Sequence, residues 1–138
     1  PFTTTAVVIA QTFVSMPFLI ITVEAALRQL DPRVEDASRT LGASRWYTFR
    51  RVTLPAVRPA LVAGGVLAWA RALGEFGATI MFAGNIAGRT QTLPLLVYSE
   101  FQGSLDAALV AAAILVTAAF GVLVAVRLRR VGDRDTPS

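Results

Sequence analysis

Apolar residues occur in three long blocks, separated by stretches rich in arginine or in small polar residues. The blocks cover residues 4–27, 60–83 and 107–126. A helix needs about 20 mostly apolar residues to cross a bilayer, and each block reaches that length. The pattern predicts an all-α integral membrane protein with three transmembrane helices. Residues 28–59 form its first loop and residues 84–105 its second loop.

The charges in the two loops predict the orientation of the spans. Seven arginines lie in the first loop, whereas the second loop contains only Arg89. Arginines return directly after the third span, at Arg127, Arg129 and Arg130. Loops with an excess of basic residues stay in the cytoplasm. We therefore expect the first loop and the C-terminus to be cytoplasmic and the second loop to be external.

Composition narrows the chemistry that this chain can perform. It is 54% hydrophobic, it has neither cysteine nor histidine, and all 13 of its basic residues are arginine. Disulfides, thiol chemistry and histidine catalysis are excluded, and no cofactor, metal or catalytic residue is expected. A Walker A loop needs a lysine, so any ATP hydrolysis would belong to another polypeptide. The positive net charge is explained by topology rather than by nucleic-acid binding.

The residues at the two ends of the chain offer no candidate functional groups. Pro1 lies inside an apolar block without a basic n-region or a cleavage site, so this start is not a signal peptide. We expect it to lie partway through a longer protein, with further spans preceding it. Residues 131–138 are polar and are expected to form a disordered cytoplasmic tail.

The first loop carries signals for two short helices. Asp31 followed by Pro32 suits the start of a helix, and Gly42 suits its end. Ser44 can cap a second helix that runs to about residue 52, and Pro55 limits where the next helix begins. A helix–turn–helix is therefore predicted, rather than a flexible tether.

Residues 35–55 of this loop carry a pattern with fixed spacing. They read EDASRTLGASRWYTFRRVTLP. This resembles the EAA loop of the permease subunits of bacterial ABC importers, in which an acidic and two small residues precede a glycine and, later, an aliphatic residue and Leu-Pro. The matching positions are Asp36, Ala37, Ser38, Gly42, Val52, Leu54 and Pro55.

The resemblance implies that the loop docks on a separate ATP-binding subunit and couples its motion to transport. Small residues allow close backbone approach, and aromatic residues provide the large anchors that interface centres favour. Nearby arginines can pair with acids on the partner or with membrane lipids. The alternative is an ordinary basic loop with an aromatic belt, which does not explain the spacing. The residues assigned to coupling are Asp36, Ala37, Ser38, Gly42, Ala43, Arg45, Trp46, Tyr47, Leu54 and Pro55.

Two charged residues interrupt the second block. Arg71 and Glu75 are one helical turn apart, and ionisable groups at bilayer depth usually face a bundle interior or a water-filled path. One hypothesis is that they line a translocation pathway together with Thr79, with Arg71 acting on a passing anion. The alternative is an intrahelical pair that neutralises itself. For Glu75 the structural role is favoured, because a carboxylate repels an anion.

Residues 71–95 carry a second resemblance. They contain RALGEFGAT, FAGNI and GRTQTLPL, which look like the molybdate permeases of the molybdate/sulfate transporter family. The related sulfate permeases share the LGEFG core. The resemblance implies the C-terminal part of a permease that forms a homodimer with two ATPase subunits. A periplasmic or lipid-anchored binding protein would deliver a tetrahedral oxyanion.

The second loop is unusually polar for a tight turn. Its hydroxyl, amide and guanidinium groups are suitable donors for the binding protein or for an emerging oxyanion. The alternative is that these side chains satisfy the turns of their own loop. A short helix is predicted over Leu93–Phe101. The candidates for external contact are Asn85, Arg89, Thr90, Gln91 and Thr92.

The predicted function is a permease subunit of a binding-protein-dependent importer in the bacterial inner membrane. Its expected substrate is molybdate, from which tungstate is indistinguishable at this level. One alternative is a sulfate or thiosulfate permease. An alternative of another class is a membrane scaffold that docks a cytoplasmic partner without transporting anything.

Overall fold

The computed structural model describes residues 2–132, and within this range the protein is built from helices without any strand. This confirms the all-α prediction. A π-helical turn, Phe49–Thr53, joins the third helix to the fourth. The helices are α1 (Thr4–Arg28), α2 (Pro32–Thr40), α3 (Arg45–Thr48), α4 (Leu54–Leu73), α5 (Gly77–Ala83), α6 (Leu93–Phe101) and α7 (Leu105–Gly132).

Three helical segments are long and apolar enough to cross a membrane. They are Thr4–Arg28, Arg45–Leu73 and Leu105–Leu128. The first and the third agree with the predicted blocks, and α6 has the predicted bounds. Of the predicted tail, residues 131 and 132 belong to α7. The remainder of that tail lies outside the described residues.

The second span differs from its prediction at both ends. It begins at Arg45 rather than near residue 60, because α3, the π turn and α4 form one uninterrupted helix. It ends at Leu73, and α5 starts only after a break at residues 74–76. Glycine at position 74 weakens a helix, and the Glu75 side chain bonds the backbone of the next helix. Glu75 therefore lies at a corner rather than within a continuous span.

Residues Met16–Ala68 form one compact unit. Within it, α1 and α4 come into close contact at Gly64, which is buried. A Cβ atom at this glycine would lie 3.0 Å from Leu19 Cδ1 and 3.1 Å from Thr22 Cβ. A side chain here would require Leu19 or Thr22 to shift by a few tenths of an ångström, so glycine favours this close approach, as expected for helix packing in membranes.

The described residues of the ranges 2–15 and 69–132 form the other compact unit. Here α6 packs against α7, and Leu95 on α6 is fully buried. Ala6 and Val7 of α1 form a small apolar cluster with Ala83. The Gln11 amide donates to the Ala72 carbonyl at 3.3 Å. The buried core is therefore small and includes polar side chains.

Most large apolar side chains in the described range remain exposed. Phe13, Met81 and Phe120 are examples on three different helices, each more than half exposed. Extensive apolar exposure marks surfaces that contact other protein or membrane rather than water. The helices of the described range therefore have largely apolar outer faces.

Candidate functional site

Residues 31–55 are called the docking loop after the role that the sequence predicts for them. This loop begins with a helix whose two ends are closed by local bonds. The Asp31 carboxylate accepts a hydrogen bond from the Arg33 N–H at 2.9 Å, and Pro32 occupies the first turn. At the other end, Gly42 has φ +85°. Its N–H donates to Arg39 O, and the Ala43 N–H donates to Ser38 O at 3.2 Å. This is a Schellman C-cap, which requires a left-handed residue at Gly42.

The second half of the docking loop is also capped, but it continues into the membrane helix. Ser44 Oγ accepts from the Tyr47 N–H at 3.2 Å and starts α3. The predicted separate helix ending near residue 52 is replaced by the π turn, in which the Leu54 N–H donates to Phe49 O. Pro55 follows directly. Proline lacks an N–H and crowds the carbonyl four residues earlier, and a π turn is one way to accommodate it.

Two side-chain bonds tie α2 to the helix that follows it. The hydroxyls of Ser38 and Thr48 lie 3.0 Å apart, and Thr53 Oγ1 donates to Glu35 Oε1 at 2.6 Å. Thr48 and Thr53 are both buried. The docking loop is therefore a fixed hairpin. Sequence reasoning missed Glu35, Thr48 and Thr53, because only the fold brings these separated positions together.

The outer surface of the docking loop is apolar and aromatic. Leu41 is 89% exposed and Trp46 is 68% exposed, and Tyr47 is exposed as well. Trp46 stacks on Phe49 with ring centroids 5.8 Å apart. Exposed anchors on a rigid hairpin suit a protein interface. Of the other predicted coupling residues, Ser38 and Ala43 are half-buried, whereas the exposed ones are Asp36, Ala37, Gly42, Arg45, Leu54 and Pro55.

The α4–α5 corner, residues 71–79, is organised by one buried carboxylate. Glu75 is 5% exposed, and its Oε2 lies 2.8 Å from Arg71 Nη1. Its Oε1 accepts from the Ala78 N–H at 2.7 Å. Both oxygens are thus used, one by the end of α4 and the other by the start of α5. The Arg71 side chain remains 39% exposed. The predicted pair forms, and its geometry gives Glu75 a structural role.

Thr79 is fully buried, one turn after Glu75. Its hydroxyl has no hydrogen-bond partner among residues 2–132. A buried polar group without a partner is costly, on the order of 1–3 kcal/mol, so such groups call for an explanation. Thr79 is therefore a polar position that the described part of this chain does not satisfy by itself.

The loop between α5 and α6, residues 84–92, is closed by its own polar groups. Thr90 Oγ1 accepts from the Ile86 N–H at 2.9 Å and lies 3.3 Å from Gly84 O. Thr90 is only 2% exposed. Both bonds of the Thr90 hydroxyl are made within its own loop. This agrees with the alternative that the polar side chains satisfy the turns of their own loop. Arg89 is exposed, and its carbonyl accepts from Thr4 Oγ1 at 3.2 Å.

The same loop is fastened to α6 through one hydroxyl. Asn85 Nδ2 donates to Ser99 Oγ at 2.7 Å, Gln91 Nε2 approaches it at 3.4 Å, and Ser99 donates to Leu95 O. Asn85 and Gln91 were predicted as contact residues, whereas Ser99 was not. Asn85 Oδ1 and Thr92 Oγ1 are buried without a partner in the described chain. The loop thus combines satisfied and unsatisfied polar groups.

Comparison with known proteins places these features in a family. The family described as "Binding-protein-dependent transport system inner membrane component" matches residues 1–134. The chain belongs to this family. With three apolar helices long enough to cross a membrane, it is a multi-pass inner-membrane protein.

Individual relatives differ in the transport systems for which they are named. The molybdenum transport system permease protein ModB of Mycobacterium tuberculosis is 47% identical over 135 residues, 98% of this chain and 51% of the relative. The sulfate transport system permease protein CysT of Escherichia coli is 46% identical over 101 residues, 73% of this chain and 36% of the relative. The probable permease NifC of Clostridium pasteurianum is 41% identical over 92% of this chain and 44% of its own length. The chain spans about half the length of the curated relatives it matches most fully.

Proposed function

We propose that this chain forms the C-terminal half of the transmembrane subunit of an importer for molybdate or tungstate. One observation carries the proposal. A permease named for molybdenum transport matches 98% of the chain, whereas the match to the sulfate permease covers 73% at similar identity. Matched length alone does not separate the two groups, because the molybdenum permease of Escherichia coli matches only 69% of the chain. The 98% match supports the molybdate group together with the resemblance of residues 71–95 to molybdate permeases. The chain supplies part of the translocation path and no catalytic residue.

The docking loop is the proposed contact with a separate ATP-binding subunit. A rigid hairpin transmits force better than a flexible tether, and α2 is held by the Ser38–Thr48 and Glu35–Thr53 contacts. The surface around Gly42 and Leu41 is open, so a partner can approach closely. Trp46 and Tyr47 supply the large anchors.

Gly42 offers a test with a matched control elsewhere in the chain. Gly42 and Gly88 have φ +85° and +72°, and a Cβ at either would contact nothing within 4 Å. Replacement by valine imposes similar backbone strain at both positions. We expect Gly42→Val to uncouple ATP hydrolysis from transport in proteoliposomes that contain the full complex, and Gly88→Val to keep the two coupled. Full coupling in Gly42→Val would exclude the proposed docking role.

The pathway is proposed to pass the exposed side of Arg71. Glu75 neutralises part of its charge, so Arg71 can attract an anion without holding it tightly. Thr79, Asn85 and Thr92 have buried oxygens without partners in the described range. We propose that other parts of the assembled permease satisfy them. Arg89, Gln91 and Thr92 remain proposed contacts at the outer surface.

The arrangement in the membrane follows from the distribution of the arginines. We propose that residues 28–59 and the C-terminus face the cytoplasm and that residues 84–105 face outward. The complex would contain two permease copies, two ATPase subunits and a periplasmic or lipid-anchored binding protein. Accessibility of single cysteines to an impermeant reagent tests this orientation, because the chain has no cysteine of its own.

Substrate competition decides between the two oxyanion groups. Labelled molybdate uptake is measured in proteoliposomes with excess unlabelled tungstate, sulfate or thiosulfate. We expect tungstate to compete strongly and sulfate weakly. Strong competition by sulfate would favour the alternative of a sulfate or thiosulfate permease. The match to CysT is the observation that supports this alternative. If the proteoliposomes take up no oxyanion, with either the wild type or Arg71→Gln, the result favours the alternative of a docking scaffold.

A further inference from the structure

We propose that the cleft lined by Tyr47, Arg50 and Arg51 binds the phosphate group of an anionic phospholipid. The cleft is open and has a volume of about 600 Å³, with Ser44 and Trp46 completing its wall. The proposal requires a membrane protein but does not depend on which substrate is transported.

Arg50 and Arg51 lie just before α4, and we place them in the headgroup layer. Arg58, one turn inside α4, is exposed and can extend its long side chain to the same layer. The 20 residues of α4 span about 30 Å at about 1.5 Å per residue, which is the thickness of the hydrocarbon core. Arg50 and Arg51 precede Leu54 by about one helical turn, about 5 Å. The headgroup layer is roughly 5–8 Å thick on each side of the core. Tyr47 and Trp46 precede Leu54 by seven and eight residues, about 10–12 Å, and lie on the outer side of this layer.

The charge of this segment suits an anionic headgroup. No acidic residue occurs between Asp36 and Glu75, and that stretch contains six arginines. Within residues 2–132, the observed ion pairs are Glu24–Arg28 and Arg71–Glu75, so neither Arg50 nor Arg51 has a carboxylate partner there. Exposed guanidinium groups without a carboxylate partner are free to bind phosphate oxygens.

Two further contacts shape the cleft. The Arg51 guanidinium lies 6.0 Å from the centre of the Tyr47 ring, within the range of a cation–π interaction, which restrains its orientation. Trp46 stacks on Phe49, and both are exposed. Guanidinium groups with adjoining aromatic surface match a phosphate whose glycerol and acyl chain continue toward the core.

The test measures lipid binding by the purified full-length permease without its ATPase subunit. Native mass spectrometry with short-chain phosphatidylglycerol gives the apparent Kd, and phosphatidylcholine serves as the neutral comparison. Each arginine near a membrane surface raises the affinity for anionic lipid by about fivefold. The double variant Arg50→Gln with Arg51→Gln should therefore raise the apparent Kd for phosphatidylglycerol by about thirtyfold. Arg50→Lys with Arg51→Lys keeps the charge and should retain most of the affinity.

The matched control removes the same charge from the other part of the docking loop. Arg33 and Arg39 lie on α2 and are exposed, and Arg33→Gln with Arg39→Gln should leave the affinity within about twofold of the wild type. An equal loss in this control would mean a diffuse charge effect and would overturn the site. Unchanged binding in the Arg50/Arg51 variant would do the same. Displacement by millimolar inorganic phosphate would assign the cleft to free anions rather than to lipid. Equal binding of phosphatidylcholine would also contradict the proposal.

Discussion

The docking loop and the α4–α5 corner use polar side chains in different ways. In the docking loop, both ends of α2 and the start of α3 are closed by residues nearby in sequence, and Leu41, Trp46 and Tyr47 are exposed. In the corner, a buried carboxylate joins two helices, and a fully buried threonine one turn later has no partner in the described chain. The docking loop thus has its helix ends capped and exposes apolar side chains. The corner is held together by Glu75 but leaves the buried Thr79 hydroxyl without a partner in the described chain.

The two regions are therefore stabilised in different ways. Caps contribute about 0.5–2 kcal/mol each, and the Ser38–Thr48 and Glu35–Thr53 contacts add to them. The docking loop is therefore held by several independent bonds. The corner depends on one ion pair and one charged hydrogen bond, both made by Glu75. Loss of a single side chain should therefore harm the corner more than any single change harms the loop.

The largest effect is expected from Glu75→Ala. It leaves the Ala78 N–H without its acceptor and Arg71 without its counter-charge. Breaking a buried pair costs several kcal/mol, and the exposed side of Arg71 reduces this to about 2–4 kcal/mol. Glu75→Gln should cost less, because an amide oxygen can still accept from Ala78. Unfolding of the purified full-length permease in detergent, followed by temperature or denaturant, gives the difference.

The Glu24–Arg28 pair provides the control for this prediction. It has the same spacing and a 2.7 Å contact, but its side chains are 53% and 78% exposed. Exposed pairs of this kind contribute about 0.3–0.5 kcal/mol. Glu24→Ala should therefore change the free energy of unfolding far less than Glu75→Ala does. If Glu24→Ala and Glu75→Ala lowered the free energy of unfolding equally, burial of Glu75 would not strengthen its ion pair.

A smaller effect is expected from Thr53→Val in the docking loop. The substitution keeps the shape of the side chain but removes the donor to Glu35. A hydrogen bond to a charged group contributes about 1.5–3 kcal/mol, and the half-exposed position of Glu35 favours the lower end. Hydrogen exchange of the α2 amides should become faster, because α2 loses one of its two side-chain ties.

Thr40→Val is the matched control for Thr53→Val. The Thr40 hydroxyl donates to Ala37 O within its own helix and is exposed to solvent. Its removal should change exchange in α2 only near position 40. If both variants loosen α2 equally, the Glu35–Thr53 contact does not hold the hairpin, and the proposed rigidity of the docking loop loses its support.

The sequence predicted what local chemistry determines. Asp31, Gly42 and Ser44 act as the predicted caps, because capping depends only on residues within one turn. The break after Leu73 was missed, because the apolar pattern continues across it. The bonds of Thr53 to Glu35 and of Asn85 to Ser99 join residues 18 and 14 positions apart. Contacts of this kind depend on how helices pack, which hydrophobic periodicity does not specify.

A modest effect is expected from Ser99→Ala, which distinguishes two roles for the loop of residues 84–92. Asn85 and Gln91 both direct an amide to the Ser99 hydroxyl. Losing this acceptor costs about 0.5–1.5 kcal/mol, because the groups are only partly buried. Gln91→Leu should cost less still, since its contact is the longer one, at 3.4 Å. If the two amides only fasten the loop, Ser99→Ala lowers stability and leaves the KM for molybdate uptake unchanged. If they contact the oxyanion, the KM changes, because the variant releases both donors, and this loop then resembles the incomplete corner rather than the closed docking loop.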